Sequence, residues 1–336
     1  MNIAIVGATG NVGRKIIEIL EKKKINIENL FLLASKKSEG KKINYNGKEH
    51  TVTDLEKFDF SSVKIAFFAA GSGVAEKWAH VAAEKTIVID NSKYFRKDPD
   101  IPLIVPEVNS KKLSDVKNKN IIANANCSVI PVVVALKPLH DLYNINRVVA
   151  STYQSVSGAG KSAMDELLSQ TEDYFQNKQI DSKNFTKQIA FNAIPHIDSF
   201  LENGYTKEEQ KTTDEIKKIL DKKIKVTSTC VRIPVLVSHC ISANVEFNKK
   251  CNLDEIRKVL STSPGCKVID EHQDGGYITP VEAEDKFETF ISRIRLDESR
   301  ENTINLWIVS DNLVKGAALN AVQIAESLIT NDFYGR

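Results

Sequence analysis

The sequence predicts an α/β protein in which a doubly wound parallel sheet is followed by an α+β domain with a mixed sheet. Short apolar strands alternate with helical segments as far as about residue 145, and longer strands of alternating polarity follow. The 336 residues are enough for about two domains. With 42% hydrophobic and 27% charged residues the chain can form packed cores, and its net charge of +2 indicates neither a nucleic-acid nor a membrane surface.

The N-terminal strands are short apolar runs. Residues 2–6 form the first run, a glycine-rich turn follows it, and residues 15–20 then have helical spacing. Further buried strands are predicted at residues 30–34, 65–69, 86–89 and 121–123. Because helical or mixed segments separate several of these strands, we expect a parallel sheet covered on both faces.

The second half of the chain has longer alternating strands, predicted at residues 147–156, 225–234, 240–247, 290–295 and 303–309. Helices are predicted over residues 162–176 and 207–220, and a final apolar helix over residues 315–329. That last helix is expected to return to the first domain. The predicted domains are therefore residues 1–126 with 313–336, and residues 127–312.

The cellular location of the protein and the redox state of its cysteines can be predicted from the sequence. The longest apolar run, residues 129–136, contains a proline and is far shorter than the roughly 20 residues of a membrane span. The first residues enter the glycine turn without the basic start of a secretory signal, so a cytoplasmic location is expected. The five cysteines include no C-x-x-C pair, which favours reduced thiols and no zinc site.

The turn after the first strand carries three glycines, Gly7, Gly10 and Gly13. Without side chains there, the backbone can approach a pyrophosphate, and the N-terminus of the next helix offers free N–H groups and a positive dipole. Its place between a strand and an amphipathic helix indicates a Rossmann-type dinucleotide site. An ordinary tight turn between a strand and a helix is the alternative.

The second strand ends in Ser35-Lys36-Lys37-Ser38, where an acidic residue usually meets a free ribose 2′-hydroxyl. Hydroxyls and cations suit a 2′-phosphate, so this segment favours NADP over NAD. A solvated basic loop is the alternative.

Cys127 is the candidate nucleophile. It follows a predicted strand and precedes an apolar helical stretch with Pro131 in its first turn, so it is expected at a helix N-terminus. Free N–H groups and the helix dipole lower the pKa of a thiol there. The alternative is a small buried hydrophobic residue.

His239 is the best-placed candidate base among the six histidines, because it lies at a strand junction near Arg232. An arginine in an apolar stretch can bind a substrate carboxylate. A buried structural histidine and a salt-bridged structural arginine are the alternatives. The segment from Ser151 to Lys161, a strand that ends in small residues, could face a cofactor ring and substrate or be another turn.

Together these residues resemble the bacterial aspartate-β-semialdehyde dehydrogenases along nearly the whole chain. The matching segments are residues 7–13, 34–41, 94–96 with 105–109, 124–131, 153–160, 204–211, 229–239 and 310–318. The resemblance implies a Rossmann-type NADP-binding domain with a glyceraldehyde-phosphate-dehydrogenase-like catalytic domain, in a homodimer or homotetramer. It implies NADPH-dependent reductive dephosphorylation of L-4-aspartyl phosphate to aspartate semialdehyde and phosphate, a step toward lysine, methionine and threonine.

The resemblance also assigns roles to residues. Cys127 would form an acyl-thioester, His239 would be the acid/base, and Gln154 would orient the substrate. The implied substrate-binding residues are Arg232 for the carboxylate, Glu208 for the amino group, Arg96 and Lys211 for the phosphate, and Asn126. The implied cofactor-binding residues are Gly7, Thr9, Gly10, Asn11, Val12, Gly13, Ser35, Lys37, Ser38, Ser157, Gly158 and Asn312. The family often has arginine where this chain has Lys37, which keeps the charge but loses the bidentate fork.

Three other functions are compatible with parts of the sequence. Another phosphorylating acyl-phosphate reductase of the same fold, such as an N-acetylglutamyl-phosphate reductase, would differ around the reactive cysteine. A short-chain dehydrogenase is indicated only by the glycine turn and a Y-x-x-x-K match at Tyr174 and Lys178, which is expected by chance. An inactive NADP-binding sensor would not need Cys127, His239 and two cationic sites together.

Overall fold

The computed structural model describes residues 1–331, which form two compact units. The first unit is Met1–Ala125 with the segment that begins at Ala317, and the second is Asn126–Gly316. Residues 332–336, part of the predicted first domain, lie outside the described residues.

The strands of residues 1–331 are β1 (Asn2–Val6), β2 (Asn29–Ala34), β3 (Lys42–Tyr45), β4 (Lys48–Asp54), β5 (Ile65–Phe68), β6 (Ile87–Asp90), β7 (Leu103–Ile104), β8 (Ile121–Asn124), β9 (Ile145–Gln154), β10 (Lys225–Arg232), β11 (His239–Phe247), β12 (Cys266–Val268), β13 (Thr289–Leu296) and β14 (Thr303–Ser310). The α-helices of the same residues are α1 (Asn11–Lys22), α2 (Ser72–Ala83), α3 (Pro106–Asn109), α4 (Val129–Tyr143), α5 (Lys161–Phe175), α6 (Lys207–Ile219), α7 (Leu253–Thr262), α8 (Pro280–Ala283) and α9 (Leu319–Thr330).

The first unit contains the predicted parallel sheet. Its strand order is β3-β4-β2-β1-β5-β6-β8-β7, and every pair is parallel except β3 with β4. β5, β6 and β8 are buried along their whole length, which explains their continuous apolar runs. β3 and β4 are not predicted from the sequence because both are rich in polar residues, and β7 is not predicted because it has only two residues.

The helices of the first unit cover this sheet. α1 begins after Gly10 and buries one apolar face, which includes Ile16 and Leu20. α9 lies against α1, and Lys23 Nζ is 2.8 Å from a carboxylate oxygen of Glu326. The predicted last helix therefore exists, but a π-helical turn over Val314–Ala318 precedes it and delays its start to Leu319.

The second unit contains the predicted mixed sheet, in the order β10-β9-β11-β14-β13-β12. β9 is parallel to β10 and antiparallel to β11, and β11 is antiparallel to β14. Burial alternates along most of β9, which places its two sets of side chains on opposite faces. α4, α6 and α7 pack against strands of this sheet.

A search of residues 1–331 for a helix with the length and hydropathy needed to cross a bilayer found none.

Candidate active site

Cys127 and His239 are brought together in the second unit. Cys127 lies two residues before α4, and its Sγ is 3.4 Å from Nε2 of His239, the first residue of β11. Asn126 Oδ1 accepts hydrogen bonds from the Ser128 backbone N–H at 3.0 Å and from its hydroxyl at 3.1 Å. These bonds fix the loop at the helix start, where free N–H groups and the dipole favour a thiolate.

The His239 ring is buried and held at its other nitrogen. Nδ1 accepts the backbone N–H of Ser155 at 3.1 Å and lies 3.0 Å from the Ser155 hydroxyl. Burial, together with the positive charge of Arg232, lowers the pKa of His239 to about 3. The ring is therefore neutral near pH 7.

Arg232 is the last residue of β10, and its side chain is buried and hydrogen-bonded. Its Nη1 donates to the backbone oxygen of Ser155 at 2.6 Å. A Cβ added at Gly158 would lie 3.2 Å from both Arg232 Nη1 and His239 Nε2. Glycine at 158 therefore lets the loop after β9 approach the arginine and the histidine closely, and the cofactor role that the resemblance implies stays a prediction.

The carboxylate of Glu208 accepts hydrogen bonds from polar side chains of the same unit. It lies in the first turn of α6, which begins with a capping box formed by Thr206 and Glu209. Glu208 Oε1 accepts from Asn126 Nδ2 at 2.9 Å and from Gln154 Nε2 at 3.3 Å. Burial opposes ionisation of Glu208, but the Lys211 charge and these hydrogen bonds lower its pKa on balance.

Gln154 has one acceptor available. Its Oε1 is buried and has no hydrogen-bond partner in the described part of the chain. A buried polar atom without a partner is costly, and a ligand donor would satisfy it. The side chain predicted to orient the substrate therefore offers a hydrogen-bond acceptor.

The two residues predicted to bind phosphate lie in different units. Lys211 Nζ is 2.7 Å from Asp198 Oδ2 and 2.9 Å from Glu208 Oε2, so two carboxylates already balance its charge. Arg96 follows β6 in the first unit, and its Nη2 donates to the backbone oxygen of Asn91 at 3.0 Å. Phosphate binding by this pair stays a prediction.

Ser157 and Asn312, predicted to bind the cofactor, support the loop that carries His239. Asn312 Oδ1 accepts from the backbone N–H of Ser238 at 2.9 Å and from the Ser157 hydroxyl at 3.1 Å. Both side chains are buried. Their observed contacts are therefore with protein groups next to the histidine.

Three residues of this region were given no role of their own from the sequence: Ser155, which lies in the segment from Ser151 to Lys161, Glu215 and Gly316. Glu215 Oε2 accepts the backbone N–H of Asn126 at 2.7 Å. A Cβ added at Gly316 would lie 3.0 Å from the Cβ of Cys127. Glu215 lies seven residues after Glu208 on α6, so the helical period alone places the two on one face.

The glycine turn of the first unit borders a cavity of about 680 Å³. Gly7 has φ of +87°, and a Cβ there would lie 2.6 Å from the backbone oxygen of Ala69. A Cβ at Gly13 would lie 2.2 Å from the backbone oxygen of Gly7. Both positions therefore require glycine, as expected of a turn that holds a pyrophosphate beside α1. Of the residues chosen for this site from the sequence, Thr9 and Gly10 line the cavity, and Asn11, Val12 and Gly13 form the first turn of α1. Their contact with a cofactor stays a prediction.

The other side of this cavity carries both signs of charge. Ser35 and Lys36 line it, whereas Lys37 and Ser38 follow in the same 3₁₀ turn and are not among its lining residues in the described chain. Two carboxylates that the sequence analysis did not select, Asp54 and Glu56, also line the cavity. The glycine turn, the helix N-terminus, Ser35 and Lys36 fit a nicotinamide dinucleotide, and the residue that meets a 2′-phosphate stays a prediction.

Known proteins match both units. A family model described as semialdehyde dehydrogenase, NAD binding domain matches residues 2–116, and one described as semialdehyde dehydrogenase, dimerisation domain matches residues 136–315. The chain is 49% identical to an aspartate-semialdehyde dehydrogenase of Aquifex aeolicus over 331 residues, 97% of each chain. It is 48% identical to that of Rickettsia typhi over 98% of each.

Solved structures give the same match. The crystal structure of aspartate semialdehyde dehydrogenase II from Vibrio cholerae is 46% identical, with a TM-score of 0.96 over 98% of each chain. A second structure of that protein is complexed with ASA and has the same similarity.

The fold and the two domain matches define a semialdehyde dehydrogenase, an oxidoreductase with an NAD(P)-binding domain. The extent and identity of the relatives are more specific. The chain belongs to the aspartate-semialdehyde dehydrogenase family. The family, the fold class and the enzyme class predicted from the sequence are thereby confirmed.

Proposed function

We propose that this chain catalyses the reversible, NADPH-dependent reductive dephosphorylation of L-4-aspartyl phosphate to L-aspartate 4-semialdehyde and phosphate. Such a reaction is a step toward lysine, methionine and threonine. The observation that carries the proposal is the 3.4 Å approach of Cys127 Sγ to His239 Nε2 at the start of α4. A cysteine that must stay a thiol suits the reducing cytoplasm, where we place this activity.

The covalent step belongs to Cys127. Its sulfur attacks the acyl carbon, a carbon–sulfur bond forms, and the bond to phosphate oxygen breaks with its electron pair on the phosphate. The helix start and the Arg232 charge both favour the thiolate needed for this attack. His239 is assigned as the acid/base of the reaction, and it faces the sulfur of Cys127 through Nε2.

The substrate carries charge at both ends, and the second unit offers a partner for each group of its amino-acid end. Arg232 is assigned to the carboxylate, and Glu208 with Gln154 Oε1 to the ammonium group. The Gln154 acceptor and the Glu208 charge support this assignment because an ammonium group has only donors. Arg96 and Lys211 are assigned to the phosphate.

The cofactor is assigned to the cavity of the first unit. The glycine turn and the N-terminus of α1 would hold the pyrophosphate, and Ser35 and Lys36 the 2′-phosphate. Bound NADPH supplies the hydride that reduces the thioester. Lys36 therefore shares the NADP preference that the segment Ser35-Lys36-Lys37-Ser38 predicts and that the resemblance assigns to Lys37.

We assign the homodimer to the second sheet. Residues 136–315 match a dimerisation model, and side chains such as Tyr153, Ser242, Asn305 and Trp307 are only partly buried on one face of the sheet. Light scattering of the wild-type protein should give twice the mass of one chain. Ser242→Arg places a charge within this face, so this variant should have the mass of one chain. An unchanged mass for Ser242→Arg would contradict the assignment to this face, and a tetramer mass would call for a second interface.

The activity is tested with aspartate semialdehyde and NADP⁺, with and without phosphate. We expect reduction of NADP⁺ that requires phosphate, its loss in Cys127→Ala, and unchanged binding of NADPH by that variant. Equal rates without phosphate, or turnover by Cys127→Ala, would refute the proposed function. Because other phosphorylating reductases share the fold, N-acetylglutamate semialdehyde and glyceraldehyde 3-phosphate serve as control substrates.

A further inference from the structure

The cavity of the first unit is lined by the ends of three neighbouring parallel strands. β1, β2 and β4 lie next to one another in the sheet, and their last residues, Val6, Ala34 and Asp54, all line the cavity. The register of the sheet pairs Ala34 directly with Asp54. A ligand that runs across this edge of the sheet therefore meets one strand end after another, at steps of about 4.8 Å.

The groups of a dinucleotide follow one another in the same order as these strand ends. The glycine turn after β1 is assigned to the pyrophosphate, and Ser35 and Lys36 after β2 to the ribose 2′-phosphate. The base comes next along the dinucleotide. Because β4 lies on the side of β2 away from β1, the end of β4 is the place left for the base.

We propose that the carboxylate of Asp54 binds the 6-amino group of the adenine ring, and so selects adenine as the base of the cofactor. This inference rests on the proposed function, because it requires NADPH to bind in this cavity. Asp54 takes no part in the chemical step.

The Asp54 side chain has one oxygen that the protein uses and one that it leaves open. Oδ1 accepts the backbone N–H of Glu56 at 3.3 Å, which caps the 3₁₀ turn over Leu55–Lys57. Oδ2 makes no hydrogen bond or ion pair within residues 1–331. A carboxylate oxygen only accepts, so a ligand at Oδ2 must present an N–H or O–H group. The 6-amino group at the edge of adenine is such a donor.

Glu56 is the other carboxylate that lines the cavity, and its surroundings differ. Its side chain is 64% exposed, and its Oε1 is 3.0 Å from Lys77 Nζ. Asp54 is buried and is not part of an ion pair in the described chain. A hydrogen bond to a buried acceptor is stronger than one to an exposed acceptor that a cation already balances. Asp54 is therefore the carboxylate that we assign to the base.

Apolar side chains next to Asp54 suit the faces of a planar ring. Leu55 follows Asp54 and is buried, and it lines the cavity. Val74 and Trp78 line the same cavity from α2, where their spacing of four residues places them on one face of the helix. Adenine has apolar faces and a polar edge, so these residues suit its faces and Asp54 suits its edge.

A ribose hydroxyl is the alternative donor for Asp54. The acidic residue that binds a ribose hydroxyl usually ends the second strand of this fold, which is β2, whereas Asp54 ends the next strand of the sheet. A cofactor that is changed at the base alone distinguishes the two donors.

Nicotinamide hypoxanthine dinucleotide phosphate is changed in this way: a carbonyl oxygen replaces the 6-amino group, and N1 gains a hydrogen. The Kd values of its reduced form and of NADPH can be measured from their fluorescence during titration with the protein, without substrate or turnover. We expect wild-type protein to bind NADPH at least about tenfold more tightly, the effect of one lost hydrogen bond to a charged group. Equal Kd values would overturn the proposal.

Asp54→Asn gives a sharper comparison. Its Oδ1 can still accept the Glu56 N–H, so Nδ2 takes the place of the open oxygen and an acceptor becomes a donor. This variant should lose or reverse the preference for NADPH, because its amide N–H can donate to the carbonyl oxygen of hypoxanthine. Glu56→Gln is the control, since it removes the same charge from the same cavity and should keep the wild-type ratio of the two Kd values.

The remaining outcomes separate this inference from the proposed function. If Asp54→Asn raised both Kd values by the same factor, Asp54 would act on the ribose or on the 3₁₀ turn alone, and the proposal would be overturned. The same change of ratio in Glu56→Gln would also overturn it. If wild-type protein bound these Kd probes as expected but had no phosphate-dependent activity, the proposed function would fail and the assignment of Asp54 would stand.

Discussion

The backbone N–H of Asn126 donates to the carboxylate of Glu215 at 2.7 Å, one residue before the cysteine assigned as the nucleophile. The Asn126 side chain donates to Glu208, two turns earlier on the same helix. α6 therefore holds the loop before α4 through two buried carboxylates. The position of Cys127 therefore depends on α6 as well as on α4, the helix that follows it.

Replacing Glu215 tests that support. Glu215→Leu leaves the buried N–H of Asn126 without its carboxylate acceptor, so we expect about 1–3 kcal/mol loss of stability and at least tenfold lower kcat with little change in KM. Glu215→Gln keeps an acceptor and should retain most of kcat. Asp214→Asn, the neighbouring position on α6, is the control. Equal kcat values for the Leu and Gln variants would show that the loop does not need this acceptor.

Glu208 should make stability depend on pH in the acid range. Its pKa in the folded protein lies below its ordinary value of 4.5, so its stabilising effect is complete above about pH 4.5 and is lost as pH falls through the folded pKa. Urea unfolding of Glu208→Gln should show a deficit at pH 7 that shrinks below pH 4.5. The exposed Glu202→Gln is the control. A deficit that is constant or grows toward low pH would contradict the predicted direction.

Cofactor preference should depend more on Lys36 than on Lys37. A charge-assisted hydrogen bond to phosphate is worth about 1.5–3 kcal/mol, so Lys36→Ala should lower kcat/KM for NADP about tenfold or more and leave NAD nearly unchanged. Lys37→Ala should have a smaller effect because this residue does not line the cavity described. Lys41→Ala is the control. A larger loss in Lys37→Ala would return the main role to the residue chosen from the sequence.

Gly316 should be required for the position of Cys127. An added Cβ would lie 3.0 Å from the cysteine Cβ and 3.2 Å from its Cα, so Gly316→Ala must move the loop. We expect at least tenfold lower kcat and slower alkylation of Cys127, with NADPH binding unchanged. Ala317→Ser, at the next position, is the control: it shows whether any substitution in this segment lowers kcat. Wild-type kcat in Gly316→Ala would contradict the close packing.

Much of the fold could be predicted because its central strands are continuous apolar runs. β5 and β8 are buried along their whole length, so their sequences alone mark them as strands. β4 was missed because four of its seven residues are charged or histidine, as is common near a sheet edge. The π-helical turn before α9 has no sequence signal that distinguishes it from the start of a helix.

The residues of the candidate site also differ in whether they could be predicted from the sequence. Cys127 and His239 could be chosen because their chemistry and local context are visible in the sequence. Ser155 could not, because it contacts His239 through a backbone N–H that any residue except proline would supply. Lys36, which lines the cavity, was not singled out because the sequence gives the charge of a loop but not the direction of each side chain.

In the proposed reaction Cys127 forms a thioester that phosphate then cleaves. The most direct test is rapid mixing of the enzyme with aspartate semialdehyde and NADP⁺ in the absence of phosphate, followed by mass spectrometry of the peptide that contains Cys127. We expect a burst of one NADPH per active site, an aspartyl group on Cys127, and turnover that resumes when phosphate is added. Continuous turnover without phosphate, or a burst that leaves Cys127 unmodified, would rule out the thioester.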